Sequence, residues 1–300
     1  LTTGVGEVNN SGSISAGNDI NITANGNINN NNFSDIVASG DINLTSIAGN
    51  ITNRSVIKSD ADNNNDGDIN IAANNFINTA TVATNAKNLL DEGSPAYIAN
   101  SSAATKQLNF VKGQGLTVTE TLGSNTGNIR STLIETAALT GNNINITANN
   151  DVSNIGSNIN SNASLVINAG NDLNINTVKL RNRSESRWGS NKKGGTSITD
   201  TTTNIGSNIA SGGNVTLIAT NSINITGSDV NSTGDATLTA GNEVNIASAQ
   251  DRYYNYEESY KKGLTYAKSS VNIIQRVTNQ SSNILTDGNI TITSGNDLNI

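Results

Sequence analysis

Residues 213–246 read GNVTLIATNSINITGSDVNSTGDATLTAGNEVNI, and this stretch determines the fold. Apolar and polar residues alternate in short runs such as Val215–Leu217 and Ile223–Ile225, which indicates β-strands with one buried face. Leu217 and Leu238 are 21 residues apart, so two strand-like runs fit in one period. A fixed period near 20 residues is typical of solenoid proteins.

The same spacing of 21 residues separates Ile225 from Ile246 and Ile146 from Ile167. Leucine-rich repeats have similar periods, but they need regular Leu positions and a helical return to the next strand. In this chain the returns consist of Thr, Ala, Ser, Asn and Gly, which favours strands on every side. We therefore predict an all-β fold, a right-handed parallel β-helix of roughly ten coils and about 50 Å of shaft.

A short phrase of Gly, Asn or Asp, an apolar residue, Asn and Ile marks the coils. Gly beside Asn or Asp supplies the positive φ angles that turns need. Asn at equivalent positions of successive coils can also stack and exchange amide hydrogen bonds. A compositional bias of the genome is the other explanation for the Asn excess. Copies of the phrase lie at Ala16–Ile22, Ser39–Leu44, Asp66–Ile71, Gly141–Ile146, Gly170–Ile175, Gly241–Ile246 and Gly295–Ile300.

The composition excludes several classes of function. Of the 300 residues, 34% are hydrophobic and 14% charged, and Cys and His are absent. A disulfide framework, a Cys- or His-ligated zinc site and a Ser-His-Asp triad are therefore impossible. No run of about 18 apolar residues could span a membrane. The net charge of −7 argues against nucleic-acid binding. Because the chain begins at Leu1 rather than Met, we expect a piece of a longer protein.

The period divides the chain into three segments. Residues 1–78 are expected to form regular coils, and residues 79–139 a decorated part of the same solenoid. The latter contain a possible helical turn at 86–92 and strand-like runs at 108–111 and 116–122. Residues 140–300 are expected to form coils with two charged excursions, at 178–212 and 249–287. Because a solenoid places insertions at one corner, we expect these excursions to be β-hairpins on one side of the shaft.

The two excursions concentrate the basic and aromatic residues. They hold 11 of the 17 Lys and Arg residues, the only Trp and five of the six Tyr. Exposed aromatic residues with basic neighbours suit the recognition of a sugar or a partner surface. The alternative is that they only pack against the neighbouring hairpin. The candidate partner-binding residues are Arg187, Trp188, Lys192, Lys193, Tyr253, Tyr254, Tyr256, Tyr260, Lys261 and Lys262.

Two acidic patterns suggest weaker sites. Asp62, Asn64, Asp66 and Asp68 resemble the first part of a calcium loop, but the twelfth position is Ala73 instead of a bidentate Glu. A polar corner loop explains the same residues. The second pattern is a carboxylate before the apolar residue of the phrase, as in a polysaccharide-cleaving β-helix, but a recurring residue is better explained as a corner feature. These carboxylates are Asp19, Asp172, Glu243 and Asp297.

Together these motifs resemble the haemagglutinin-repeat region of filamentous-haemagglutinin-like exoproteins, a group that includes the effectors of contact-dependent growth inhibition. The likeness rests on Gly-Asn coils followed by a Lys-Lys-Gly excursion and a further Gly-Asn coil. It is clearest in residues 140–300, while residues 1–78 are similar to the simpler upstream repeats. The matching segments are Gly170–Ile175, Lys192–Gly194, Gly212–Ile225, Gly234–Ile246 and Lys261–Gly263.

The resemblance implies a large secreted fibre on the surface of a Gram-negative bacterium. An outer-membrane partner transporter would export it, and the fibre would contact host cells or neighbouring bacteria. It would serve as an adhesin or carry a C-terminal toxin, without a cofactor, a membrane span or a nucleic-acid partner. We therefore expect a structural shaft and no enzyme. The alternatives are a polysaccharide-binding or polysaccharide-active β-helix and a disordered surface linker, although disorder predicts few β-branched residues and no period.

Overall fold

The computed structural model describes residues 6–60, 66–87, 105–111, 115–121, 125–190 and 192–300. In this part of the chain every regular element is a β-strand. Three parallel sheets form a shaft, and an antiparallel sheet lies beside it. The prediction of an all-β parallel β-helix with hairpin excursions is confirmed.

Each coil of the shaft contributes one strand to each parallel sheet in turn. Sheet 1 consists of β1 (Val8–Asn10), β4 (Ile28–Asn30), β7 (Ile51–Asn53), β10 (Phe76–Thr79), β17 (Val152–Ile155), β20 (Leu173–Asn176), β25 (Ile223–Thr226), β28 (Val244–Ala247) and β33 (Leu298–Asn299). Sheet 2 consists of β2 (Ser13–Ala16), β5 (Asp35–Ala38), β8 (Val56–Lys58), β15 (Ala138–Gly141), β18 (Asn158–Ser161), β23 (Asn208–Ser211), β26 (Asp229–Ser232) and β31 (Asn283–Thr286). Sheet 3 consists of β3 (Ile20–Ala24), β6 (Ile42–Ser46), β9 (Ile69–Ala73), β16 (Ile144–Ala148), β19 (Leu165–Ala169), β24 (Val215–Ala219), β27 (Ala236–Ala240) and β32 (Ile290–Ser294).

The sequence period is the register of these sheets. Leu217 pairs with Leu238 in sheet 3, and Ile225 pairs with Ile246 in sheet 1. The alternation of buried and outward residues along β24 follows the period of two that its sequence predicts. The core is therefore a narrow column of Ile, Leu and Val, which explains how a chain with few apolar residues folds.

The sheet 2 strands are the part of the coil that the phrase did not predict. Each carries a single large core residue, such as Ile159 in β18 or Ile209 in β23, followed two residues later by a buried Ser. One apolar residue in four gives little alternation signal, so the sequence shows two strands per coil where the structure has three.

The antiparallel hairpin sheet is built from all three interruptions of the period. Every excursion leaves the shaft at the same corner, between a sheet 1 strand and the following sheet 2 strand, as expected for a solenoid. The strands, in spatial order, are β13 (Gly115–Thr121), β12 (Thr105–Val111), β11 (Thr81–Lys87), β14 (Asn125–Glu135), β21 (Val178–Gly189), β22 (Lys193–Ile205), β29 (Ala249–Lys262) and β30 (Ala267–Gln280).

The first interruption thus has the same architecture as the two charged ones. β12 and β13 contain the runs at 108–111 and 116–121 that were predicted as strands. Residues 86 and 87 of the possible helical turn belong to β11, and the rest of that turn lies outside the described residues. Within those residues, no helix has the length and apolar character that a membrane span requires.

Candidate binding faces of the hairpin sheet

A row of serines fixes the corner from which the hairpins leave the shaft. Ser207 donates its backbone N–H to the hydroxyl oxygen of Ser228 at 3.0 Å, and Ser228 donates to Ser282 at 3.3 Å. Ser157 donates to Ser207 in the same way. These serines stand directly before sheet 2 strands, so they hold neighbouring coils in register beside each hairpin. The repeated Ile-Gly-Ser-Asn-Ile at 155–159 and 205–209 is the sequence signal for this corner.

The tips of the two charged hairpins lie side by side. β22 pairs with β29, with Lys193 opposite Lys261 and Gly194 opposite Tyr260. The backbone N–H of Lys262 donates to the carbonyl of Lys192 at 2.7 Å, and the Tyr260 hydroxyl donates to the carbonyl of Ser190 at 2.8 Å. The two Lys-Lys-Gly turns therefore form one tip.

The register divides the candidate residues between two faces of the hairpin sheet. Residues paired across antiparallel strands point to the same face, and so do residues two apart along a strand. We name the faces after Glu185 and Trp188, and Lys192 lies in the turn between them. The Glu185 face carries Arg187, Tyr254, Tyr256, Tyr260 and Lys262, and the Trp188 face carries Lys193, Tyr253 and Lys261.

An ion-pair network occupies the Glu185 face. Glu185 is 1% exposed and contacts Arg183 at 3.2 Å and Arg187 at 3.1 Å. Asp200, on the neighbouring strand, contacts Arg181 at 2.6 Å and Arg183 at 3.4 Å. The hydrogen bond from Arg181 and the positive charges of both arginines lower the pKa of Asp200 below its ordinary value, against the opposing effect of burial. Arg187 is therefore engaged within the sheet.

The tyrosines of the Glu185 face also have partners inside the protein. The Tyr256 hydroxyl donates to the Glu258 carboxylate at 3.1 Å. Desolvation and then this hydrogen bond raise the pKa of Tyr256 above its ordinary value. Tyr260 spans from its own strand to the turn at Ser190. These contacts favour packing over recognition for Tyr256 and Tyr260.

The Trp188 face is more open. The Trp188 side chain is 47% exposed and lies over Gly195, where an added Cβ would come within 2.5 Å of the indole Cζ2. An open groove of about 430 Å³ at the tip is lined by Trp188, Lys193, Ser259, Tyr260 and Lys261 together with the turn backbone. An aromatic ring, lysines and a serine hydroxyl thus meet at one groove.

The calcium-like pattern falls only partly on described residues. Asp62 and Asn64 lie outside them. The Asp68 carboxylate accepts hydrogen bonds from the backbone and the side-chain amide of Asn143 in the next coil, both at 3.0 Å. The described side chains contain no group of three or more acidic residues arranged to hold a metal ion. Asp68 acts as a corner acceptor.

The recurring carboxylates occupy two corners, not one. Asp19 precedes β3 of sheet 3, whereas Asp172 precedes β20 of sheet 1, as Glu243 and Asp297 precede later sheet 1 strands. The Asp19 carboxylate accepts the backbone N–H of Asp41 at 2.9 Å, and that of Asp172 accepts the backbone N–H of Ser222 at 3.1 Å. The expectation of one repeat position was wrong because the Gly-Asn phrase precedes strands of both sheets.

Sequence reasoning missed Glu185, Asp200 and Lys268 as parts of this sheet. The alternation of Arg183, Glu185 and Arg187 places all three on one face, and that signal was available in the sequence. Asp200 and Lys268 needed the strand register, because they reach their neighbours only through pairing with β21 and β29.

Comparison with known proteins gives one family. Residues 188–273 match the family model described as hemagglutinin repeat. This confirms the haemagglutinin-repeat region within the part of the chain, residues 140–300, where the resemblance was clearest. The matched residues run from Trp188 at the first tip through β22 and the next two coils into β30, so the repeat unit combines shaft and hairpin. No curated protein and no solved structure matches the chain.

Proposed function

We propose that the chain is a structural shaft segment of a large secreted bacterial exoprotein of the filamentous-haemagglutinin type. The observation that carries the proposal is the continuous stacking of coils, with three parallel sheets in register and a hairpin sheet along one side. Together with the hemagglutinin-repeat match, this architecture suits a rod that holds other parts of a protein away from a cell.

Stacked coils suit such a rod because every coil makes the same contacts with its neighbours. The aliphatic column runs through all the coils, from Val8 in β1 to Val244 in β28. Each backbone N–H and C=O along a strand bonds to the coils before and after it. The absence of Cys also suits passage through an outer-membrane partner transporter as an extended chain. We infer that the segment is exposed at the bacterial surface and meets a host cell or a neighbouring bacterium, as part of an adhesin or of a toxin-delivery filament.

A polysaccharide-active β-helix is the second candidate that the sequence raised. It would need two carboxylates facing each other across a groove. The carboxylates of Asp19 and Asp172 are instead saturated by backbone hydrogen bonds at the corners. The structural role is therefore favoured over catalysis.

Immunogold electron microscopy of intact producing bacteria tests the proposal. Antibody raised against this chain should label material outside the outer membrane without lysis, at a distance from the cell. Deleting the gene for the partner transporter should abolish the label while whole-cell immunoblots still detect the protein. Label that appears only after lysis of transporter-positive cells would contradict the proposed role.

A further inference from the structure

Three lysines stand in register across the tip of the Trp188 face. Lys193 of β22 pairs with Lys261 of β29, and Lys261 pairs with Lys268 of β30. All three side chains are exposed. Because neighbouring strands lie about 4.8 Å apart, the three positive charges form a row about 10 Å wide.

This arrangement costs stability, because like charges directly opposite each other destabilise a sheet. None of the three lysines forms an ion pair with a carboxylate in the described part of the chain. Glu258 points to the other face, where it binds Tyr256. Glu257 is on the Trp188 face, but it lies four residues before Lys261 along an extended strand. The row therefore presents uncompensated positive charge on a protein whose net charge is −7.

A flat, hydroxyl-lined surface adjoins the lysine row. In the next row of the sheet Trp188 lies opposite Gly195, Gly195 opposite Ser259, and Ser259 opposite Ser270. The glycine leaves space for the indole, which is held over it with one side of the ring open to solvent. An open aromatic ring beside serine hydroxyls suits a sugar ring, which has one apolar side and a rim of hydroxyl groups.

We propose that the Trp188 face at the hairpin tip binds an acidic polysaccharide. A sugar ring stacks on Trp188, the hydroxyls of Ser259 and Ser270 bond to sugar hydroxyls, and the row of Lys193, Lys261 and Lys268 takes the carboxylate or phosphate groups of the polymer. Nucleic acid is disfavoured, since the overall negative charge repels a densely charged polyphosphate. The inference goes beyond the shaft role and does not depend on it.

Trp188 is the only tryptophan, so its fluorescence reports binding at this site. Titration of the whole chain with polygalacturonate should change the emission, and a phosphorylated mannan supplies the phosphate arm. Neutral dextran should have little effect. Added salt should weaken binding, because these exposed charges are screened.

Two triple variants with the same net charge distinguish the site from general attraction. Lys193→Gln/Lys261→Gln/Lys268→Gln should lose about tenfold or more in affinity, since each exposed charge pair contributes up to about fivefold. Its melting temperature should be unchanged or higher, because repulsion is relieved. Lys58→Gln/Lys179→Gln/Lys262→Gln, on the shaft and the Glu185 face, should bind like the wild type.

Equal losses in both variants would reduce the effect to net charge and overturn the proposal. Wild-type affinity in the first variant would overturn it as well. Binding to polygalacturonate or the mannan that leaves Trp188 emission unchanged would place the site elsewhere. Equally tight binding of duplex DNA would refute the assignment to a polysaccharide.

Discussion

At the scale of single residues, asparagine does more than form corners. A ladder of side-chain amides runs inside the shaft, in which each asparagine donates to the one in the preceding or following coil at 2.8–2.9 Å. It ends at Asn154, because the register partner in the next coil is Ile175. Members in successive coils are Asn10, Asn30, Asn53, Asn78 and Asn154. The predicted stacking of asparagines is confirmed, and part of it is buried.

Breaking this ladder is expected to be costly. Asn78→Ala removes the acceptor for Asn53 and the donor to Asn154, and it leaves the Asn154 oxygen buried without that bond. We expect a loss of about 2–3 kcal/mol in the free energy of unfolding, measured by urea denaturation. Asn145→Ala is the matched control, since exposed Asn145 makes the same type of bond to Asn70. It should cost less than about 1 kcal/mol. Equal costs would show that burial of the ladder is unimportant.

Gly195 is the residue that allows the tip to form. A Cβ at this position would clash with the Glu258 carbonyl of the neighbouring strand as well as with the Trp188 ring. Gly195→Ala should therefore separate β22 from β29 at the tip, expose the indole further and shift its emission to longer wavelength. Gly17→Ala is the control, because an added Cβ there meets no atom within 4 Å. An unchanged emission spectrum in Gly195→Ala would refute the close packing of Trp188 on this glycine.

At the scale of the element, the charged hairpin is stabilised by the network around Asp200. Because the pKa of Asp200 is lowered from 3.8, its ion pairs stabilise the folded hairpin above pH 3.8, and that contribution is lost as the pH falls through the lower folded pKa. Asp200→Asn should lower hairpin stability by about 1 kcal/mol at pH 7, since the Arg181 partner is half exposed. Unfolding followed by Trp188 fluorescence measures this change.

The difference between wild type and Asp200→Asn should be constant from pH 5 to pH 7 and should disappear on acidification below 3.8. All other carboxylates are common to both proteins, so their titration cancels. A difference that persists unchanged at pH 2 would show that the aspartate acts through packing and not through its charge.

The elements differ in how well the sequence predicts them. Strands of sheets 1 and 3 carry alternating apolar residues, as in Val215–Ala219, and their period gives the register directly. Sheet 2 strands carry too few apolar residues to be recognised. The first excursion shares the hairpin architecture of the others but lacks a Lys-Lys-Gly turn, so its kinship depends on strand pairing that the sequence does not show.

For the candidate site, the sequence predicted the residues but not their grouping. Alternation alone separates Tyr253 from Tyr254 and Tyr256, which is a local rule. The meeting of Lys193, Lys261 and Lys268 depends on three strands that are distant in the chain. The burial of Glu185 between two arginines likewise appears only when the faces of the sheet are known.

At the scale of the whole molecule, the shaft and the hairpin sheet are separable in construction. Corners without a hairpin are closed by Gly-Ser, as in Gly227–Ser228, where the glycine has φ of +54°. The corner with the last hairpin has Ser248 at the position of the glycine and Ser282 at the position of the serine, since Asp229 pairs with Asn283. The hairpin is thus an insertion into a corner that a single glycine can close.

Replacing residues 248–281 by one glycine should therefore leave the shaft folded. The new Ala247–Gly–Ser282 corner repeats the Gly227–Ser228 corner, and a shorter connection lowers the entropy cost of closing it. We expect a far-ultraviolet circular dichroism spectrum of β type and a cooperative urea transition.

Deleting the four residues of β25 (Ile223–Thr226) is the comparison, because it removes one wall of a coil and shifts the buried face of everything that follows. That variant should lose cooperative unfolding in the downstream coils. If the hairpin excision unfolds the chain as completely as the loss of β25, then the hairpin sheet is an integral part of the shaft, because the coils would need it to stay in register.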